Sequence, residues 1–122
     1  MKRLAPARAF LIAALLLALA ASACSLVRGA RLYRSGSAAL DRADTQQAIE
    51  ELERAAQIVP TASAIQNHLG LAYAAASREG DARIAFQRAL ELDCDNLAAQ
   101  QNLHALEAGA VDVAASGSGD SP

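Results

Sequence analysis

Only a few side chains in this sequence could take part in chemistry. The chain of 122 residues contains two histidines, His68 and His104, and two cysteines, Cys24 and Cys94. A catalytic nucleophile needs a base beside it, yet no motif brings Cys94 and His104 to one pocket. Two cysteines are too few for a structural zinc site, and no phosphate-binding loop or paired-carboxylate motif is present. We therefore predict that the chain is not an enzyme and has neither a metal site nor a cofactor.

Cys24 differs from the other candidates because of what precedes it. The basic start contains Lys2, Arg3 and Arg8, and thirteen uninterrupted apolar residues follow, from Ala9 to Ala21. A basic start, a short apolar core and small residues are typical of a secretory signal, here residues 1–23. The segment continues without a charge to Val27, nineteen residues in all, which approaches the roughly 20 that span a membrane. An uncleaved single-pass anchor is therefore one alternative to a cleaved signal, and ordinary secretion without a lipid is another.

The four residues Ala21-Ser22-Ala23-Cys24 resemble the lipobox of bacterial lipoproteins. The resemblance implies that the cysteine thiol takes a diacylglycerol, that a peptidase cuts before Cys24, and that the new amine is often acylated. Residues 24–29 would then form a short lipidated tether, and the domain would face the periplasm. The sequence departs from the family pattern at Ala21, where leucine is usual. Ser25 stands where aspartate retains enteric lipoproteins at the inner membrane, so the outer membrane is favoured.

Two further expectations concern the exported chain. Arg28, Arg31 and Arg34 follow the lipid site at spacings of three and share one helical flank. One hypothesis is that they contact anionic headgroups, since each basic residue near such a surface contributes about 1 kcal/mol. The alternative is a solvated helix face. Cys94 would be the odd thiol in an oxidising compartment. We expect it to be a buried, inert side chain rather than one that forms an intermolecular disulfide.

The composition favours a small helical binding module. Hydrophobic residues make up 53% of the chain, and the most frequent of them is alanine, the best helix former. Aromatic residues are 3%, tryptophan is absent and the net charge is −2. These values argue against an aromatic-rich β-sandwich, and they leave neither a stacking surface nor a basic stripe for nucleic acid. We therefore expect no nucleic-acid partner.

Residues recur along the chain with a fixed period. Without any gap, Gly36 aligns with Gly70, and Leu52 with Phe86. The further aligned pairs are Ala38 and Ala72, Ala48 and Ala82, Arg54 and Arg88, Ala55 and Ala89, and Ile58 and Leu92. The spacing from Gly36 to Gly70 is the period of the tetratricopeptide repeat, a helix–turn–helix unit. The repeat is the strongest signal in the sequence.

Both copies resemble the tetratricopeptide family. The second copy has Leu69-Gly70 and Ala72-Tyr73 at signature positions and ends in Ala89-Leu-Glu-Leu-Asp-Cys-Asp-Asn96, with Cys94 where proline is usual. The first copy departs from the pattern at Ser35 and Ala39. The resemblance implies an all-α fold: a short α-solenoid of two repeat units, residues 30–62 and 63–96, and a capping helix at 97–108. Residues 109–122 lack a periodic apolar face, and we predict a disordered tail there.

Helical periodicity predicts the same elements independently of the family. Apolar residues such as Ala48, Ile49 and Leu52 recur at helical spacing, with polar residues on the opposite face. The predicted helices span residues 30–42, 45–59, 62–78, 81–92 and 96–108. Gly36 and Gly70 lie inside two of them, which costs about 1 kcal/mol each relative to alanine. Close helix packing would explain the two glycines.

The family resemblance also places a binding groove. In tetratricopeptide arrays the first helix of each repeat lines this groove. The matching positions are Tyr33, Ser37, Leu40, Asp41, Asn67, Leu71, Ala74 and Gln101. Such a mixture of aromatic, aliphatic and amide side chains suits a bound peptide or helix. The chain has no lysine after Lys2, so the lysine clamp with which one subfamily reads acidic C-termini is not expected.

Together the two resemblances imply a membrane-anchored lipoprotein adaptor. Its partner would be an unidentified protein or peptide, and similar lipoproteins assist assembly of envelope, pilus or secretion complexes. Two repeats and one helix are few for a repeat array, so homo-oligomers are also expected. Two alternatives remain: a self-assembling structural spacer, and a single-pass signal-anchored repeat protein.

Overall fold

The computed structural model describes the backbone of residues 4–116 and the side chains of residues 6–109, and it is all-helical over this part of the chain. Its five helices are α1 (Leu4–Asp41), α2 (Thr45–Ile58), α3 (Ser63–Ala75), α4 (Glu79–Leu92) and α5 (Leu97–Ser116). The predicted all-α class is confirmed.

The helices pack as two antiparallel hairpins followed by a fifth helix. The most extensive contacts are between α1 and α2 and between α3 and α4, and α2 packs against α3 and α4 against α5. The first helices of the two hairpins, α1 and α3, contact each other, and α3 also contacts α5. This packing is compatible with a short solenoid. We call α1, α3 and α5 together the inner row.

The repeat period of the sequence reappears in the packing of each hairpin. A Cβ atom added at Gly36 would lie 2.7 Å from Leu52 Cγ, and one added at Gly70 would lie 2.5 Å from Phe86 Cε1. Leu52 and Phe86 are the two largest fully buried side chains in the described part of the chain. Each helical glycine therefore makes room for the large residue of its partner helix, as the sequence predicted.

The two turns inside the hairpins repeat in the same way. Ala43 and Ser77, which are separated by one repeat period, have positive φ angles of 60° and 59°. The Asp44 N–H donates to the Ala39 carbonyl at 2.9 Å, and the Arg78 N–H donates to the Tyr73 carbonyl at 2.9 Å. This is the six-to-one hydrogen bond of a Schellman motif, which closes a helix with one left-handed residue.

The core between the helices consists mostly of alanine. Apart from Leu52 and Phe86, the buried hydrophobic residues are Ala39, Ala48, Ile49, Ala55, Ile65, Leu69, Ala72, Ala82, Ala85, Ala89 and Ala99. Alanine buries little area but allows helices to approach closely. The domain consequently depends on closeness of packing more than on large side chains.

Helix α1 differs from the prediction. The tether predicted at residues 24–29 is helical, and one helix of 38 residues joins the apolar segment to the first repeat. The cause is plain in the sequence, since no proline or glycine stands between Pro6 and Gly29, and alanine and leucine favour helix. Side chains of the apolar segment are exposed, and this helix is long and apolar enough to be a signal or a membrane anchor.

Helix α5 also extends beyond its predicted end. It continues from Leu97 to Ser116, whereas the sequence predicted a tail from Gly109. The alanines at 108, 110, 114 and 115 sustain the helix, and one glycine costs only about 1 kcal/mol. The rest of the predicted tail, residues 117–122, lies outside the described part.

Candidate partner groove and membrane anchor

Tyr33 and His68 join the first two helices of the inner row. The Tyr33 Oη atom lies 3.3 Å from His68 Nδ1, and the two rings meet edge to face with centroids 5.0 Å apart. The same Nδ1 atom lies 3.0 Å from the Ala64 carbonyl oxygen. His68 thus has a structural place between α1 and α3, next to a residue predicted to line the groove.

The other predicted groove residues of α1 differ in accessibility. Leu40, like Tyr33, is partly buried and packs against the hydrophobic core. The Ser37 hydroxyl group is buried, and it neither donates nor accepts a hydrogen bond among the described residues. Asp41 is exposed at the end of the helix. Of these α1 side chains, Asp41 presents its polar group most openly.

The sequence predicted that Asn67 lines the groove, but in the structure its side chain is buried. Its side chain is only 5% exposed, and its Oδ1 atom accepts a hydrogen bond of 2.9 Å from Asn102 Nδ2 on α5. A buried amide must be hydrogen-bonded to avoid a desolvation cost. Asn67 therefore fixes α5 against α3, a role the sequence could not reveal because it depends on how the two helices pack.

The remaining predicted groove residues are accessible. Leu71 and Ala74 on α3 are partly exposed, and Gln101 on α5 is exposed. With Asp41 on α1, they place two apolar and two polar side chains on three helices of the inner row. The accessible candidate surface is smaller than the sequence predicted, because Asn67 and the Ser37 hydroxyl are buried.

A polar cluster that the sequence analysis missed joins the two hairpins. Tyr73 Oη on α3 donates a hydrogen bond of 2.6 Å to Glu53 Oε1 on α2, and the Arg78 guanidinium lies 4.5 Å from the centre of the Tyr73 ring. The pKa of Tyr73 is raised to about 12, mainly by burial and to a smaller extent by the hydrogen bond to Glu53. Neutral tyrosine is thus held as a donor to a carboxylate across the α2–α3 contact.

A second missed cluster ties three helix ends together. Asn96 Oδ1 accepts a hydrogen bond of 3.0 Å from the Ala99 N–H, which caps α5. Asn96 Nδ2 donates to Ser63 Oγ at 2.7 Å, and Ser63 Oγ donates to the Ala89 carbonyl at 2.9 Å. The start of α3, the end of α4 and the start of α5 are therefore linked through two side chains.

Cys94 lies in the turn beside this cluster and is exposed. The prediction of a buried thiol is wrong. The proline that is usual at this position in the tetratricopeptide family is a turn residue, and Cys94 likewise stands in a turn with its side chain exposed. The Cys94 carbonyl accepts a hydrogen bond of 2.8 Å from Gln100 Nε2. The thiol is free to react with solvent reagents.

The predicted lipid site and its basic neighbours are all exposed on α1. Cys24 is exposed and free, and Arg28, Arg31 and Arg34 are exposed as well. Within the described residues, none of these arginines forms an ion pair, since the salt bridges there join Arg78 to Asp81 and Arg88 to Glu91. The three arginines are therefore accessible to an external anionic surface.

An open apolar pocket of about 370 Å³ lies where α1 enters the domain. Its lining residues are Leu26, Gly29, Ala30, Tyr33, Val59, Ala62, Ala64 and Ile65. Gly29 makes the close approach possible here, because a Cβ atom added to it would lie 2.6 Å from Val59 Cγ2. We call this feature the entry pocket. No pattern in the sequence indicates this pocket, since its residues come from two helices and the turn between α2 and α3.

Comparison with known proteins adds no family to this geometry. No protein-family model matches the chain, and no curated protein sequence matches it. The tetratricopeptide and lipoprotein resemblances thus remain predictions. They rest on the sequence, and the periodic correspondence of glycines, large side chains and turns is compatible with a short solenoid.

Proposed function

We propose that the chain is a membrane-anchored, tetratricopeptide-type adaptor that holds a partner protein at a bacterial envelope membrane. The anchor would be a lipid on Cys24, and the partner would contact the inner row around Asp41, Leu71, Ala74 and Gln101. The domain would face the periplasm, with the outer membrane favoured. The partner belongs to the class of envelope, pilus or secretion assembly proteins that the resemblance implies.

The observation that carries the proposal is the exposed apolar part of α1. Large apolar side chains from Phe10 to Val27 are exposed, and a contiguous apolar surface of this size is costly in water. Burial in a bilayer, or removal of the segment as a signal, resolves that cost. The free thiol of Cys24 at the end of this segment is where the lipoprotein pattern requires it.

The adaptor role is supported by the arrangement of the inner row. Three helices in lateral contact carry the partly exposed apolar side chains of Leu71 and Ala74 and the exposed polar side chains of Asp41 and Gln101. An amphipathic helix or extended peptide binds such a surface through apolar anchors and polar rim contacts.

Two alternatives each have an observation in their favour. The uninterrupted helix from Leu4 to Asp41 is what an uncleaved signal anchor would need. Ile84 and Leu97, exposed at 65% and 67%, would suit the contact between copies in a self-assembling spacer. The two experiments below separate both alternatives from the adaptor.

Intact mass decides how the chain is anchored. The native chain and a Cys24→Ser variant are purified from membranes of a bacterial host. A chain that begins at Cys24 and carries two or three acyl groups, together with an unprocessed variant, is the expected result. An unmodified chain beginning at Met1 would establish the signal anchor instead.

Site-specific photo-crosslinking in cells tests the partner groove. A crosslinking residue is placed at Asp41 or Gln101 on the inner row, and at Gln87 on α4 as the matched exposed control. We expect one crosslinked species of constant mass from the two groove positions, lost with Leu71→Arg, and none from Gln87. Crosslinks to a second copy of the chain would favour the spacer.

A further inference from the structure

The entry pocket differs in chemistry from the rest of the domain surface. None of its eight lining residues is charged, and Tyr33 is the one with a polar side chain. The Tyr33 hydroxyl lies beside His68, so the aromatic ring is what remains for the pocket wall. A surface pocket of about 370 Å³ with such a lining is suited to an apolar occupant and offers it few hydrogen bonds.

The pocket is continuous with the apolar side of α1. Leu26, 60% exposed, belongs both to the pocket wall and to the exposed apolar segment. Leu15 and Leu19 precede it at helical spacings of eleven and seven positions and lie on the same side of the helix. In the uncleaved chain, the apolar surface that ends in the pocket therefore begins well inside the segment that would cross the membrane.

In the uncleaved chain, the length of the apolar segment places the pocket relative to the bilayer. Nineteen uncharged residues from Ala9 to Val27 rise by about 28 Å in a helix, close to the roughly 30 Å of the hydrocarbon core. Gly29 and Tyr33 then follow within about 10 Å of Val27 along the helix. The mouth of the pocket consequently lies at the boundary between the acyl chains and the headgroups.

The charges around the helix agree with that placement. Arg28 follows Leu26 by two positions and thus lies on the side of α1 away from the pocket, where it and Arg31 can reach headgroup phosphates. The nearby turn from Val59 to Ala62 contains no charged residue. Cys24 also lies on the far side, two positions before Leu26, so its own lipid is directed away from the pocket.

We propose that the entry pocket takes up acyl-chain segments of bilayer lipids, so that the α2–α3 turn and the start of α3 rest in the membrane interface. This inference rests on the proposed membrane anchorage and extends it. In the uncleaved chain residues 9–27 hold the pocket at the bilayer surface, and in the cleaved chain the lipid on Cys24, two positions before Leu26, does so. The first repeat would be seated on the bilayer at a defined height, with Tyr33 at the level where interfacial aromatic residues are found. The opposite end of the domain, with Asp41 and Ala75, would face the aqueous phase.

Tryptophan fluorescence tests the proposal, because the native chain contains no tryptophan. Ala64→Trp places the probe in the pocket wall. Ala75→Trp is the matched control, since both alanines are exposed on α3 and are separated by about 16 Å along the helix. Each full-length variant is reconstituted in phosphatidylcholine–phosphatidylglycerol vesicles with native or acyl-brominated phosphatidylcholine, and flotation measures anchorage.

We expect both variants to float with the vesicles. Brominated lipid should quench the emission of Ala64→Trp, because the probe lies at the acyl boundary where interfacial groups are buried, and it should leave the emission of Ala75→Trp unchanged. Flotation without quenching of Ala64→Trp would overturn the pocket proposal alone. A concentration-dependent blue shift without quenching would also overturn it, since a second copy would then fill the pocket. Loss of flotation would overturn the anchorage and, with it, the pocket proposal.

Ala30→Trp provides a second probe of the same pocket from α1, where Ala30 is exposed. It is used in place of Ala64→Trp if circular dichroism shows that the first variant is less helical than the native chain. Quenching of Ala30→Trp is the expected result. Emission that does not respond to brominated lipid contradicts the proposal in the same way as for Ala64→Trp.

Discussion

At the scale of single residues, a glycine on one helix and a large side chain on the other set how closely each hairpin packs. Gly36 lies against Leu52, and Gly70 against the Phe86 ring. The glycine and its large partner recur together in both copies, so each helix pair uses the same solution. The sequence contained this information, because an interior helical glycine is costly and must have a reason. That Gly36 packs against Leu52 and Gly70 against Phe86 could be seen only in the structure.

Replacement of Gly70 by alanine should destabilise the domain. The added Cβ would lie between 2.5 and 2.9 Å from three atoms of the buried Phe86 ring, and overpacking of this kind costs about 1–3 kcal/mol, more than the roughly 1 kcal/mol gained in helix propensity. Urea denaturation measures the change. Gly80→Ala, with no heavy atom within 4 Å of the new Cβ, is the control and should be neutral or stabilising.

Tyr73 should make stability depend on alkaline pH. Its pKa is raised to about 12 by burial and by the hydrogen bond to Glu53, from an unfolded value of about 10. A raised pKa contributes stability that is complete below pH 10 and lost as the pH approaches 12. Tyr73→Phe should therefore be less stable than the native chain at pH 8, with a difference that shrinks between pH 10 and 12 in denaturant titrations. A constant difference would contradict this account.

At the scale of helices and turns, much of the fold was predictable. The predicted limits of α2 and α4 agree with the structure within two positions, because amphipathic spacing and Pro60 mark them. The predicted helix limits differ from the structure before Gly29 and beyond Ala108. In both places residues of high helix propensity continue the helix through the predicted tether or tail. The roles of Asn67 and Asn96 could not be predicted, since their partners Asn102 and Ser63 are brought near only by tertiary packing.

The Schellman turns can be improved by glycine. Ala43 and Ser77 adopt positive φ, which costs a non-glycine residue roughly 1–2 kcal/mol, offset in part by the greater unfolded-state entropy of glycine. Ala43→Gly and Ser77→Gly should each stabilise the domain by about 0.5–1 kcal/mol, measured as a higher urea midpoint. Ala76→Gly, one residue before the second turn with φ of −86°, should destabilise it. Loss of stability in both turn variants would refute this account of the turns.

Asn96 should be important for the junction between α3, α4 and α5. Asn96→Ala removes the cap of α5 and the bond to Ser63, so we expect a loss of about 1–2 kcal/mol in thermal or urea unfolding. Asn96→Asp retains the capping oxygen and loses the donated bond, and it should lie between the native chain and Asn96→Ala. Equal stability of all three chains would show that the junction contributes nothing.

At the scale of the whole molecule, a small alanine-rich core joins an exposed apolar helix to a row of helices with a modest apolar face. The helical class and the repeat period could be predicted from the sequence. The candidate site was predicted less well, because exposure of each groove residue depends on the tilt of neighbouring helices. The exposure of Cys94 shows the same limit, since a turn residue can point either way.

Cys94 should report whether the domain associates with itself. In a Cys24→Ser chain, the exposed thiol should react with a maleimide in the native state nearly as fast as in urea, followed by mass spectrometry. Cys94→Ser in the same background is the control and should not react. Protection of Cys94 that disappears on dilution would indicate that the turn from Asp93 to Asn96 is covered by a second copy, which would favour the spacer over the adaptor.

The uninterrupted α1 has a mechanical consequence for the uncleaved chain. From Val27 to Asp41 the helix rises by about 21 Å, and there is no joint at which the apolar segment and the domain could turn independently. Membrane helices tilt by about 20° on average to match bilayer thickness, which would displace Asp41 sideways by about 7 Å. The anchor would then act as a lever arm, and a change in membrane thickness would swing the groove across the surface. Cleavage before Cys24 would cut the lever and uncouple the groove from the bilayer.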